Sequence, residues 1–336
     1  MLPDKVELLI AGKSITAFSE YSLDSDLYVA ADAFSLTFGP PRGFTVMEGL
    51  PVTVKVNGKI ELTGLVDDIE ERDSRNGSTL TLSGRDLMGL VVDAYAEEFI
   101  DLENITLKAA ADRLLKPIPF INRKTIVYQK GSSDSSGQQI YHLDPGTTVF
   151  EALKALAMRR ELLFYCQPDG TFVFGKPLSK GEISFHLRMG GQTTNCKELT
   201  RTRSLAPRYS LIKVLSQGQG IDAIAPGAHS GVATVTDATV PFRKVMVMGL
   251  DGDTASPARH ARYLLHKQRA EGLRYTATVA GHSQGGQNWR ANLLTSVDNQ
   301  VRDYRATALI YGRTLRLSKE AGQTTELRLG LPGVLQ

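Results

Sequence analysis

The chain has 336 residues, 42% of them hydrophobic, and 39 lysines and arginines against 36 aspartates and glutamates give it a net charge of +3. A length of that order holds two or three domains, and the apolar share is that of an ordinary globular protein, so disorder is not the default reading. The near balance of charge excludes a function resting on a large basic surface, such as bulk nucleic-acid or membrane-surface binding.

Up to Asp93 the sequence predicts strands broken by turns. Gly12-Lys13, Asn57-Gly58 and Asn76-Gly77 mark hairpins, because Asn-Gly tolerates the positive φ that a type I′ turn demands. Val52, Val54 and Val56 alternate with Thr53 and Lys55, and Ile60, Leu62, Leu65 and Val66 continue beyond the turn, which predicts an antiparallel sheet closed into a small barrel. A short helix or turn carrying Leu87, Leu90 and Val91 ends this block.

In the middle region, NITLKAAADRLLKPI places Ile105, Leu107, Ala110 or Ala111 and Leu114 on one helical face before Pro117. TTVFEALKALAMRRE starts a second helix with Thr148 and Glu151 in capping-box spacing, striped by Val149, Phe150, Leu153, Leu156 and Ala157. Two short strands about Pro168-Asp169-Gly170 follow, and QKGSSDSSGQQ between the helices reads as an exposed loop. From Leu178 strand patterns return, interrupted by a helix with Ser256 as N-cap, Pro257 at its first position and Gly272 as its stop. The fold class expected is α+β and β-rich: two small antiparallel barrel-like domains with helix-plus-hairpin modules. The divisions are 1–95, 96–178 and 179–336, the last with a helix–strand insertion at about 251–285.

One stretch offers catalysis. Gly281-His282-Ser283-Gln284-Gly285 fits G-x-S-x-G, the nucleophile elbow of α/β-hydrolases. That elbow follows a buried parallel strand, precedes a helix, and needs a histidine later in the chain. The histidines are 142, 186, 229, 260, 266 and 282, none downstream of Ser283. YTATVA before the motif alternates like a half-buried antiparallel strand, and no amphipathic helix follows, so a Gly-rich hairpin is expected there.

No other cluster points to chemistry. Cys166 and Cys196, the only cysteines, make neither a disulfide framework nor a zinc spacing and fit a reduced chain. Asp86 is read as a cap for backbone amides and Arg85 as a tie between segments. Asp251 and Asp253 resemble part of a calcium loop that lacks its remaining ligands, and a turn is expected. His260 and His266, six apart, diverge on their helix and cannot share a metal. Arg201, Arg203, Arg208 and Lys213 read as a solvated face or an intersubunit ion-pair surface. Trp289, the sole tryptophan, reads as the anchor of a packed junction. There is no glycine-rich phosphate loop, and no catalytic residue, cofactor or metal is assigned. The N-terminus has no signal-peptide pattern, and no apolar run reaches the roughly 18 residues of a membrane span, so no stable membrane insertion is expected.

A resemblance emerges from several stretches taken together. LTGLVDDIEERDSRNGSTLTLSGRDLMGLVVD, ITLKAAADRLLKPI, TTVFEALKALAMRRELLFYCQPDGTFVF, SPARHARYLLHKQRAEGLRYTATVAGHS, NWRANLLTSVDN and LIYGRTLRLSKEAGQTTELRL occur in that order over nearly the whole chain. The pattern resembles the baseplate hub proteins of contractile phage tails, in particular the tail proteins of Mu-like phages and prophages. The resemblance implies a homotrimer whose two barrel-like domains per subunit close a pseudo-sixfold ring, joining the tail tube to a separate spike chain and other baseplate proteins. It further implies passage of DNA through a central channel, a place in the virion after synthesis in the host bacterial cytoplasm, and no enzymatic activity. Related hubs occur in type VI secretion spikes and phage-tail-like bacteriocins, which remain alternatives, as does, more remotely, an esterase using Ser283. A three-fold ring needs two different patches per subunit, expected on the two barrels. TLTLSG, residues 79–84, is expected to be a barrel edge whose disruption by proline gives monomers.

Overall fold

A computed structural model describes residues 3–75, 77–103, 105–129, 140–217, 229–250 and 257–335. Asn76, the polar tract over 130–139, Asp251, Asp253 and the expected cap Ser256 lie outside the described residues. The fold is α+β and β-rich, dominated by a curled sheet of thirteen strands.

In the first half, alternation does what the sequence pattern requires. Val6, Leu8 and Ile10 in Val6–Ile10, Val52, Val54 and Val56 in Pro51–Val56, and Leu80 and Leu82 in Gly77–Asp86 turn inward onto Tyr21, Leu23, Phe34, Leu36 and Phe38. The turns at Ala11-Gly12 (φ 49° and 71°) and Asn57-Gly58 (φ 52° and 76°) have both residues left-handed, matching the twist of a tight hairpin. Gly77–Asp86 is paired on both sides, with Ala33–Phe38 and with Lys59–Ser74. The expectation that residues 79–84 form an edge is therefore corrected: proline there would break internal ladders, and the outer strands are elsewhere.

The order across the large sheet is Cys196–Arg203, Leu273–Ala280, Gly322–Gly330, Tyr304–Ser318, Glu20–Asp26, Ala33–Phe38, Gly77–Asp86, Lys59–Ser74, Pro51–Val56, Val6–Ile10 and Lys13–Ile15. Leu293–Asn299 pairs with the first part of Tyr304–Ser318, and Ile183–Met189 runs parallel beside it. The two halves thus meet inside one sheet, where Gly312–Leu317 pairs with Tyr21–Asp26. The edge strand Ile183–Met189 is blunted by side-chain amides that stand in for a further strand. Asn195 accepts from Arg188 N (2.8 Å) and donates to His186 O (2.7 Å), while Gln284 makes the same pair of bonds with His186 N and O, both 2.8 Å.

Between the halves, Leu107–Leu115 and Val149–Met158 form the expected helices around their own apolar cluster. Thr106 caps the first by accepting from Ala109 N, and the Thr148–Glu151 capping box is complete. The hairpin Leu163–Cys166 and Phe172–Gly175 stacks Phe164 on Phe174 with ring centroids 4.5 Å apart.

Helix Pro257–Glu271 packs Ala261 and Leu264 on Ile212 and Val214 of a separate three-stranded sheet, Leu211–Gln217, His229–Thr236 and Val245–Leu250. Leu273–Ala280, expected to be inserted with that helix, is instead a strand of the large sheet, because its alternating Tyr275, Ala277 and Val279 complete the second half's core. Gly272 ends the helix at a close approach: a Cβ there would lie 2.6 Å from Arg208 Cδ and 2.8 Å from the Ser204 carbonyl oxygen.

Candidate functional site

The serine motif forms a clasp, with none of the geometry of a nucleophile elbow. Leu273–Ala280 is antiparallel, and the residues after it make a two-residue hairpin whose Gly285 and Gly286 have φ of 60° and 79°. Ser283 Oγ donates to Asp4 Oδ1 at 3.0 Å. Both ring nitrogens of His282 are engaged by other residues, Tyr21 and Thr325. Gln323 Nε2 donates to the Tyr21 hydroxyl (3.0 Å), which lies 2.6 Å from His282 Nε2, and His282 Nδ1 lies 3.1 Å from Thr325 Oγ1, which donates to the Gly281 carbonyl. That chain is satisfied by a neutral ring with the proton on Nδ1. Burial pushes the imidazole pKa down to about 4, against the pull of Asp4. Asp4 and Tyr21 are near the N-terminus, so these bonds fasten the start of the first half to the end of the second.

A second junction is ionic and buried. Glu61, on Lys59–Ser74, is 3% exposed. Its Oε2 accepts from Arg313 Nη2 at 2.6 Å, and its Oε1 accepts from Asn288 Nδ2 at 2.6 Å and from Arg290 Nη2 at 3.1 Å. Arg313 also donates to the carbonyl of Trp289, whose ring packs on Phe185 at 4.3 Å between centroids. The Trp289 ring therefore belongs to the second half's own core, not to a junction between domains, and only its carbonyl reaches the junction through Arg313. Beside it, Arg328 reaches Asp24 Oδ1 and Asp26 Oδ2, both at 3.0 Å, in the strand that links the halves. The buried Glu61 carboxylate is held by three side-chain donors, while Arg313 keeps its Nε buried without a hydrogen-bond partner.

A cavity of about 620 Å³ opens where three parts of the chain meet, lined by Asp32 and Asp86, by Cys166 and Asp169, and by Arg290 and Arg313. Asp86 ends one strand next to Asp32, and its amide donates to the Asp32 carbonyl at 2.9 Å. Asp86 Oδ1 caps Met88 N at 3.0 Å, and Asp32 Oδ1 accepts from Asp26 N at 3.0 Å. Burial raises the Asp32 pKa to about 6, and burial together with the Asp32 charge holds Asp86 well above the carboxylate range. Asp32 is partly exposed where it borders the cavity. Burial, then the Asp86 charge, raises the Cys166 thiol, so it is no thiolate nucleophile. Among the described residues no three His, Cys, Asp or Glu side chains are disposed to hold a metal ion.

The other singled-out residues are scattered. Arg85 ties Asp67 (2.7 Å) to Asp93 (2.7 Å), as expected. Arg208 departs from the solvated-face reading: with Arg269 it closes over Asp237, at 2.7 and 3.0 Å. Arg201 lies over the Tyr304 ring at 3.8 Å, and Arg203 and Lys213 are exposed. His266 lines a shallow cleft with Glu161 and Arg259, and the His260 ring lies 5.8 Å from that of Tyr263. Glu61, Arg313 and Asp237 were missed in the sequence; their only signal is a charge at an inward position of a strand or strand end.

Comparison with known proteins agrees with this picture of a scaffold. Residues 5–86 match the family model described as Mu phage baseplate assembly protein GpP-like, N-terminal. The crystal structure of the tail protein from Neisseria meningitidis MC58 has a TM-score of 0.85 at 27% identity, covering 98% of this chain and 97% of that one. The 43 kDa tail protein of prophage MuSo2 from Shewanella oneidensis has a TM-score of 0.78 at 20% identity, covering 97% and 98%. A component of the Escherichia coli type VI secretion system shares the fold at a TM-score of 0.61 and 10% identity, covering 97% of this chain and 76% of that one. No curated protein matches the chain in sequence. The chain is similar to Mu-like baseplate and tail proteins, by a family match over residues 5–86 and by fold over nearly its full length, in agreement with the sequence resemblance.

Proposed function

We propose that the protein is the hub of a contractile phage-tail baseplate, a homotrimeric ring in the virion that joins the tail tube to a central spike and lets the genome pass. The observation that carries the reading is the full-length likeness to the Neisseria meningitidis tail protein, joined to a chain whose buried polar groups tie its halves together. The reading is non-enzymatic, with no catalytic residue, cofactor or metal; the hydroxyl of Ser283 and the thiol of Cys166 are both engaged or suppressed. Its partners are two further copies, a separate spike chain, the tail tube and other baseplate proteins, with DNA only in transit.

The division into a first barrel-like domain (1–95), an α+β module (96–178) and a second barrel-like domain (179–336) is supported by three apolar clusters that follow it in the main, although Leu87, Met88 and Val91 join the middle cluster and Leu315 joins the first. A type VI or bacteriocin hub is the second reading, supported by the shared fold of the Escherichia coli secretion component. Light scattering over a range of concentrations tests the trimer: a mass near three times 36.7 kDa supports it, and a constant 36.7 kDa refutes it.

A further inference from the structure

The two long hairpins are built alike. Lys59–Ser74 pairs with Gly77–Asp86 around one extra residue, Asp67, between Val66 and Asp68. Tyr304–Ser318 pairs with Gly322–Gly330 around one extra residue, Tyr311, between Ile310 and Gly312. Before the bulge each long strand pairs with a shorter strand of its own half, Pro51–Val56 in one case and Leu293–Asn299 in the other. Beyond each return strand lie two more: Ala33–Phe38 then Glu20–Asp26 in the first half, Leu273–Ala280 then Cys196–Arg203 in the second.

The likeness ends past the bulge. Gly312–Leu317 takes Glu20–Asp26 from the first half as its neighbour. Its counterpart, Asp68–Asp73, has no strand on its outer edge among the described residues, and all of it but Ile69 is exposed. Cys196–Arg203, the counterpart of Glu20–Asp26, pairs on one side only, and no side-chain amide covers its outer edge among the described residues as Asn195 and Gln284 cover Ile183–Met189. Two unpaired backbone edges left by a repeated pattern are a template for strand addition.

We propose, resting on the ring reading above, that Asp68–Asp73 of one copy pairs antiparallel with Cys196–Arg203 of a second copy, repeating between chains the junction made once within each chain. The bulges set the register. Asp68 corresponds to Gly312, so Ser83, Ser35 and Ser22 correspond to Arg328, Thr276 and Thr200. Arg316 pairs with Ser22 inside the chain, which puts Arg72 opposite Thr200, Glu71 opposite Arg201 and Ile69 opposite Arg203. The charges agree with that register. The hairpin edge carries Asp68, Glu70, Glu71 and Asp73 against one Arg72, and the edge strand carries Lys197, Arg201 and Arg203 against one Glu198. Glu71 meets Arg201 directly and Arg203 on the diagonal, and no like charges stand opposite one another between 69 and 72. Each copy offers one acidic and one basic edge, a heterologous interface that closes into a ring in which internal and intermolecular junctions alternate.

Two experiments on the full chain test the pairing. The charge swaps E70K/E71K and R201E/R203E, each alone, are expected to reduce the mass in light scattering from about three chains to one. The chain carrying all four changes is expected to recover the wild-type mass, which a merely misfolded edge would not. In parallel, Arg72→Cys combined with Thr200→Cys is expected to give covalent trimers on oxidation, whereas Arg72→Cys with Arg201→Cys, one residue out of register, is not. A trimer that ignores both charge swaps and gives no cross-link at 72 and 200 overturns the edge pairing and leaves the ring standing. A wild-type chain that is monomeric at every concentration overturns both.

Discussion

Two groups of buried acids stand on either side of the same junction, and they are handled in opposite ways. Glu61 is met by two guanidinium groups and an amide, so its charge is spent in holding the halves together. Asp32 and Asp86 are met by backbone amides, by the Ser25 hydroxyl and the Cys166 thiol and by each other's charge, and Ser25, Asp26 N and Arg313 only partly offset the burial of Asp32. The first arrangement fixes a charge and the second favours a proton. Asp237 in the small three-stranded module belongs with the first kind: burial works against its charge, yet hydrogen bonds from Arg269, Thr239 and Arg208 prevail and hold its carboxyl below the ordinary range. Asp237 is 2% exposed, with Arg208 and Arg269 both bonded to its carboxylate.

The contrast can be broken most forcefully at Glu61. Glu61→Gln leaves the Arg313 guanidinium buried without its counter-charge and is expected to cost about 3–5 kcal/mol in denaturant unfolding. Asp237→Asn is expected to cost about 2–3 kcal/mol, less because Arg269 can turn to water. Its contribution is present above the ordinary carboxylate pKa of 3.8 and is lost as pH falls through the lowered folded value.

At the carboxyl pair the sign reverses. A folded pKa raised from 3.8 to about 6 at Asp32 means that the native state binds more protons in that range, so this part of the stability falls as pH rises through it. Asp86→Asn keeps an oxygen for Met88 N and removes the repulsion. It is expected to match wild type near pH 4 and to exceed it by about 1–2 kcal/mol near pH 8, and a variant less stable at both pH values would contradict the reading. The smallest effect is expected of Ser283→Ala, a loss of about 1 kcal/mol or less from the Asp4 contact, with ester hydrolysis at background before and after.

Local features were legible in the sequence wherever a short-range rule decides them. The Asn57-Gly58 turn, the Thr148–Glu151 box, the helix stripes and the role of Asp86 all follow from neighbours within a few residues. So did the negative reading of the serine motif, which needed only the positions of the histidines. What was not legible depends on distant strands. Nothing near TLTLSG tells that strands cover it on both sides, and nothing near Tyr304–Ser318 tells that its second part crosses to the first half. Glu61 and Arg313 each look like one more surface charge until the fold places them 2.6 Å apart. Arg208 was misread for the same reason, since Asp237 lies on another strand's end.

We propose that a chain with one internal strand junction and, among the described residues, two unpaired edges of opposite charge closes into a ring. Electron-microscopic imaging of the purified full-length protein tests it most directly. Closed rings of three-fold symmetry with a central opening and six lobes, two from each chain, are expected. Single compact particles of one chain, or open filaments, would contradict it.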